Sequence, residues 1–193
     1  MTDRRLQRKV LPITALVKMS KVSRERILFI VPLPPPVHGS SMVSMQIQQS
    51  EKINAAFDCR YVNLSTSRGN DEVAGFSPLL LLKKGVRFIA SFLQTFWQLL
   101  IFRPQKCYVA IACRGVGFLK DAPFVLLAKM FGCKVILHQH NKGMAGYVDK
   151  PIYRWLLPLV YRKATVILLS WLLYEDVSAV VKLEQVRICP NGI

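Results

Sequence analysis

Short, near-continuous apolar runs alternate along this chain with longer stretches of helical period. The runs "RILFIVPL", "CRYVNLS", "KCYVAIA", "KVILHQ", "ATVILLS" and "QVRIC", rich in Val and Ile, predict six strands. Their continuous apolar character predicts strands covered on both faces, and the helical stretches between them predict right-handed crossovers in a parallel sheet. The expected class is α/β, doubly wound, with a mainly parallel sheet. Helices are expected at about 41–57, 78–102, 118–131, 150–163 and 171–182.

The second of these helices has the most distinctive pattern. Ser77-Pro78 is a start signal and Pro104 a stop. Between them Lys84, Arg87, Ser91, Gln94, Thr95 and Gln98 fall at helical spacing and leave Leu, Phe, Ile and Trp around the remaining circumference. The charge-free part, Phe88 to Phe102, is shorter than the ~20 residues needed to span a bilayer. Most of the apolar area is expected to cover the sheet. Lys83, Lys84 and Arg87, with Arg103 and Lys106 beyond, are candidates for contact with anionic head groups on a membrane surface.

At 193 residues, 52% of them hydrophobic, the chain can bury one core, and a single domain over 25–193 is expected. Lys and Arg number 27 against 11 Asp and Glu, a net charge of +16. That charge serves solubility, an anionic partner, or both. No aromatic-basic RNA signature, zinc finger or basic zipper accompanies it, so no nucleic-acid partner is expected. The odd set Cys59, Cys107, Cys113, Cys133 and Cys189 forms no C-x-x-C pair and suits reduced core residues in a cytoplasmic protein. Residues 1–24 read as a basic N-terminal arm or, with Met19 as an alternative start, as an upstream extension with no role.

In open α/β sheets ligands gather beyond the carboxyl ends of the strands. After the first strand comes "PLPPPVHGSS", whose prolines stiffen a turn before His38, Gly39, Ser40 and Ser41. Gly39 there admits a ligand or a facing loop to the backbone, and the amides of Ser40, Ser41 and Met42 are expected to be free at a helix N-terminus that suits a phosphate or a sugar hydroxyl. Ser40 as a plain N-cap is the competing reading. Neither a G-x-G-x-x-G nor a G-x-x-x-x-G-K-[ST] pattern occurs, so neither a dinucleotide nor a P-loop assignment follows.

At the end of the fourth strand, His138 and His140 stand in alternation and are expected on opposite faces, so that only one meets the crevice. His140, nearer the loop and followed by Asn141, is the candidate to bind a hydroxyl or phosphate, and His138 is expected to be structural. An H-x-H pair without a third ligand argues against a metal site. After the third strand, "CRGVG" offers Arg114 as a clamp for an anionic group, while Gly115 and Gly117 shape the turn and Asp121 favours the helix dipole. No acid/base pair of strand-end carboxylates and no Ser-His-Asp or Cys-His arrangement stands out.

Taken in order, "VPLPPPVHGSSMVS", "GVGFLKDAPFVLLAKMFGCKVILHQHNKG", "VILLSWLLYEDV" and "VRICPNGI" resemble the N-terminal domain of family 4 glycosyltransferases, two-domain enzymes of GT-B architecture, over roughly 26–193. The nearest likeness is to enzymes of bacterial capsule, exopolysaccharide and lipopolysaccharide synthesis. The resemblance implies a Rossmann-like half of a GT-B enzyme and retaining transfer of a sugar from a nucleotide-diphosphate donor to a hydroxyl of a lipid-linked or growing glycan, with no metal or other cofactor. It further implies that Gly39, Ser40 and Ser41 face the donor phosphates or acceptor, and that His140 lines the reaction centre as a catalytic residue. In that family "PNGI" leads into a C-terminal domain that holds the nucleotide sugar. The sequence stops at Ile193, so an incomplete, inactive transferase half is expected, cytoplasmic and peripheral on the inner face of the cell membrane. A noncatalytic module that binds a membrane or a partner is the alternative.

Overall fold

The computed structural model describes residues 24–69, 72 and 77–190. The expected basic arm lies outside the described residues except for Arg24, and so do the last three residues of "PNGI".

All six expected strands form: β1 (Arg26–Val31), β2 (Asp58–Asn63), β3 (Lys106–Ile111), β4 (Lys134–Gln139), β5 (Thr165–Leu168) and β6 (Val186–Ile188). They pair in parallel in the order β2-β1-β3-β4-β5-β6. The fold is α/β and Rossmann-like, with helices flanking an all-parallel sheet. The connections are α1 (Gly39–Gln49) and α2 (Glu51–Ala56), α3 (Pro78–Ile101), α4 (Gly115–Met130), α5 (Pro151–Tyr161) and the single-turn α6 (Tyr174–Val177).

Alternate residues of each strand feed two cores, as the period of two requires. Leu28, Ile30, Val109, Leu137 and Val166 join Leu99, Phe118, Phe124 and Leu157 under α3, α4 and α5. Ile27, Phe29, Val31, Tyr108 and Ala110 pack with Ile47, Ile53 and Phe57 under α1 and α2. Lys129, near the end of α4, donates to the carbonyls of Leu159, Val160 and Arg162, each at 2.7 Å, and so ties α4 to the open carboxyl end of α5.

Two expected helices are shortened. The stretch expected at 41–57 breaks at Ser50, whose hydroxyl caps a new helix by accepting from the Ile53 amide at 3.4 Å. The stretch expected at 171–182 reduces to a 3-10 turn, Trp171–Leu173, followed by α6.

The largest departure concerns α3. Its polar stripe turns inward and its apolar stripe outward, so the expectation that the apolar face covers the sheet is wrong. Ser91 donates to the Asn63 carbonyl at 2.8 Å, Thr95 is buried, and Gln98 accepts from Arg60 at 2.8 Å. Arg87, expected at a membrane surface, donates to the Thr66 carbonyl at 2.8 Å and pairs with Glu72. The reason lies in the edge strand that α3 follows. Only Val62 of β2 is buried, and the carbonyls and Arg60 around it need polar partners. Phe88, Phe92 and Leu99 supply the helix's apolar contacts, the first two through edge-to-face packing on Phe124.

Candidate functional site

The sheet order reverses between β1 and β3. From β1 the chain moves one way to β2, and from β3 onward it moves the other way, so the loops beyond β1 and β3 diverge and leave a crevice. A cavity of about 270 Å³ opens there. Its walls are the turn after β1, the hydroxyl run Ser65–Ser67 after β2, Ala112 after β3, His140 and Asn141 after β4, and the first turns of α1 and α4.

Asn63 fixes the mouth. Its side-chain oxygen accepts from the Leu33 amide at 3.0 Å and the Ser65 amide at 2.8 Å, while Ser65 donates to the Leu33 carbonyl at 2.9 Å. These bonds hold the proline turn and the hydroxyl run together across the cavity.

His38 is the N-cap of α1, with an extended backbone at φ −153°. Its Nδ1 accepts from the Ser41 amide at 3.2 Å and lies 3.0 Å from the Ser40 hydroxyl, which leaves Nε2 for the cavity. Burial, and then the Lys120 cation, lower its pKa below the ordinary histidine value. Ser40 lines the cavity as expected, and its competing role as the plain cap falls to His38.

Ser41 does not line the cavity. It is buried, its hydroxyl accepts from the His38 amide at 3.0 Å, and it stands 2.9 Å from the carbonyls of both Pro36 and His38. Nor are its amide and that of Met42 free, because they donate to His38 Nδ1 and, at 3.0 Å, to the His38 carbonyl. The hydroxyl that sequence reading assigned to a ligand instead closes the turn.

Two glycines behave oppositely. A Cβ at Gly39 meets nothing within 4 Å, so no facing loop explains that residue. A Cβ at Gly117, which lines the cavity, falls 2.9 Å from the Ala112 Cβ. Gly39→Ala is therefore expected to leave the thermal unfolding midpoint level or raise it, whereas Gly117→Ala lowers stability by about 1–2 kcal/mol through overpacking. Calorimetry on the two variants checks the contrast.

The two histidines at the end of β4 share a face. Their ring centroids are 4.0 Å apart, which corrects the expectation of opposite faces: residues two apart on a strand point the same way. His138 is buried, and its Nδ1 pairs with the Tyr108 hydroxyl. His140 lines the cavity, and neither of its ring nitrogens has a hydrogen-bond partner among the described residues. Burial first, then the charge of His38, lower its pKa, so the ring is neutral at pH 7 and offers one acceptor and one donor.

Arg114 is placed elsewhere. It is the N-cap of α4, and its exposed side chain passes under Gly143, where a Cβ would stand 2.6 Å from the Arg114 Cδ. The cavity's cation is Lys120, whose Nζ lies 3.3 Å from the Leu64 carbonyl and 3.2 Å from Asp121 Oδ1. Asp121, only 4% exposed, also accepts from the Ala112 amide at 2.9 Å. Burial raises its pKa, against the pull of Lys120. Sequence reading missed this pair and the Ser65–Ser67 run. The signal was present as polar residues clustered just after β2 and in the first turns of α4.

The loop that carries His140 and Asn141 is anchored from below. Asp176 accepts from the amides of Gly143 at 2.8 Å, Met144 at 2.9 Å and Ala145 at 3.2 Å. Gly143, at φ +127°, adopts a backbone that other residues resist.

Among the described residues no three His, Cys, Asp or Glu side chains converge as a metal-holding group. No family model, curated protein or solved structure matches the chain.

Proposed function

We propose that this domain is the acceptor-side half of a glycosyltransferase that moves a sugar from a nucleotide-diphosphate donor to a hydroxyl of a lipid-linked or growing glycan. The observation that carries the reading is His140, a neutral imidazole with both nitrogens unpaired at the switch-point cavity. Around it stand Ser40, Ser65, Thr66 and Ser67, whose hydroxyls suit a polyhydroxy ligand, and Lys120, whose ammonium suits the ligand's anionic group. The resemblance in sequence supports the same reading.

In the reaction the acceptor oxygen bonds to the anomeric carbon as the bond from that carbon to the diphosphate breaks, and the acceptor's proton passes to the departing diphosphate oxygen. His140 is the group that receives a hydrogen bond from the acceptor hydroxyl and aims its oxygen. His38 Nε2 and the Ser40 hydroxyl flank the same ligand. Arg114 and Ser41 drop out of the binding set, and Lys120 enters it.

Saturation-transfer NMR with a short-chain prenyl-pyrophosphoryl sugar tests the proposal without vesicles. Binding is expected, and His140→Ala should weaken it about tenfold or more while leaving the unfolding midpoint unchanged. Absence of binding, or binding indifferent to His140→Ala, overturns the acceptor reading and favours the noncatalytic module.

A further inference from the structure

The inverted helix α3 leaves an unusual surface. Leu79, Leu82, Val86, Ile89 and Leu93 recur at alternating spacings of three and four, and each is 57–64% exposed. Phe96 and Leu100 continue the stripe at 42%. Among the described residues no helix is long and apolar enough to cross a membrane.

The stripe is not alone. α4 packs between α3 and α5, and α5 presents a second exposed apolar line, Ile152, Trp155 and Leu159, from the same side of the sheet. Trp97 on α3 and Trp155 on α5 are 59% and 79% exposed. Soluble proteins seldom leave such an area open, and exposed tryptophan is the residue that membrane interfaces favour.

Charge decides between occupants. The three-four spacing is also the seam of a coiled coil, so a second copy of this chain is the rival. Yet neither α3 nor α5 contains a single acidic residue, while Lys83 and Arg103 on one side and Lys150, Arg154, Arg162 and Lys163 on the other surround the apolar lines. Two copies brought together along α3 would align cations with no carboxylate between them. A seam along α3 would also leave the α5 line uncovered, whereas a flat surface meets both.

We propose that the outer face of the α3–α5 layer docks on an anionic lipid surface, with α3 lying along it, its apolar stripe in the head-group boundary and the flanking Lys and Arg on lipid phosphates. Of the cations expected at a membrane surface, Lys83 and Arg103 are exposed, half-buried Lys84 sits at the margin, Arg87 is committed to Thr66 and Glu72, and Lys106 pairs with Glu25 at 2.8 Å. The inference rests on helix polarity and charge, and it stands independently of the sugar-transfer reading.

Co-sedimentation of the full chain with vesicles of phosphatidylcholine containing phosphatidylglycerol tests it, alongside sedimentation velocity without lipid. Binding is expected to require phosphatidylglycerol and to fall as salt rises. The double variant Ile89→Glu, Leu93→Glu and the single variant Trp155→Glu should each weaken it about tenfold or more with unchanged circular dichroism. These positions are exposed, so loss of binding cannot be ascribed to a collapsed core. Absence of vesicle binding, or binding unaffected by all three substitutions, overturns the proposal. A lipid-free dimer dissolved by the α3 substitutions assigns the face to a second copy and overturns it as well.

Discussion

Asp176→Ala is expected to cost roughly 3 kcal/mol or more of unfolding free energy, because one carboxylate satisfies three consecutive amides. Truncation leaves those donors without their carboxylate, and the Met144 amide among them is buried. Asp176→Asn separates geometry from hydrogen bonding. Its remaining oxygen can accept from Gly143 and Met144, while its amide group turns a donor toward the Ala145 N–H, so about half of the loss is expected. Urea denaturation measures both variants through a lower midpoint at unchanged slope. The change also reaches the cavity, since His140 and Asn141 lie on the same loop. Hydrogen exchange at the Gly143 and Met144 amides should accelerate in Asp176→Asn even where the domain stays folded. An unshifted midpoint in Asp176→Ala would show that the loop holds itself.

Sheet and crossovers were legible in the sequence because strands buried on both faces must be apolar almost throughout, a character clearest in β1, β3 and β4 and weakest in the edge strand β2, where only Val62 is buried. The cavity's location followed from the same pattern, since strand ends in such a sheet are where loops diverge. Its lining was legible only in part. Ser40, His140 and Asn141 come directly after strands or open a helix, and the structure brings them together. Lys120 and Asp121 sit two turns into the region of α4, where a charge pair reads as ordinary helix surface until Gly117 lets α4 press against Ala112.

Side-chain direction was where sequence reasoning failed most clearly. For α3 the pattern marks two stripes but not which one faces the protein, and the polar edge of β2 drew the polar one inward. For Ser41 and Arg114, residue type suggested ligands, while the turn and the loop around Gly143 already claimed them. A polar side chain beside a strand end serves the backbone first when that backbone has open groups.

The stability of the domain is expected to fall as the pH drops from about 6.5 toward 4, with His138 as a principal cause. Its ring is buried against Tyr108 and lies 4.0 Å from the His140 ring, and burial first, then the charge of His140, lowers its pKa from 6.5 to about 4. In the unfolded chain the same ring titrates at its ordinary value. Between those two values the unfolded state binds a proton that the folded state refuses, so acid favours unfolding there and the effect levels off below the folded pKa. The full loss is roughly 3 kcal/mol by linkage. His140, lowered in the same direction, adds to the slope with the same sign. His138→Asn removes the titration while its side-chain oxygen can still accept from the Tyr108 hydroxyl in place of Nδ1. Carboxylates elsewhere also respond to acid, so the informative quantity is the difference between the two proteins. Urea midpoints taken at matched pH should converge as the pH falls, the wild-type curve dropping the more steeply. Parallel curves would mean that His138 accepts its proton in the folded state as readily as in the unfolded one, and that the ring pair at the end of β4 is open to water.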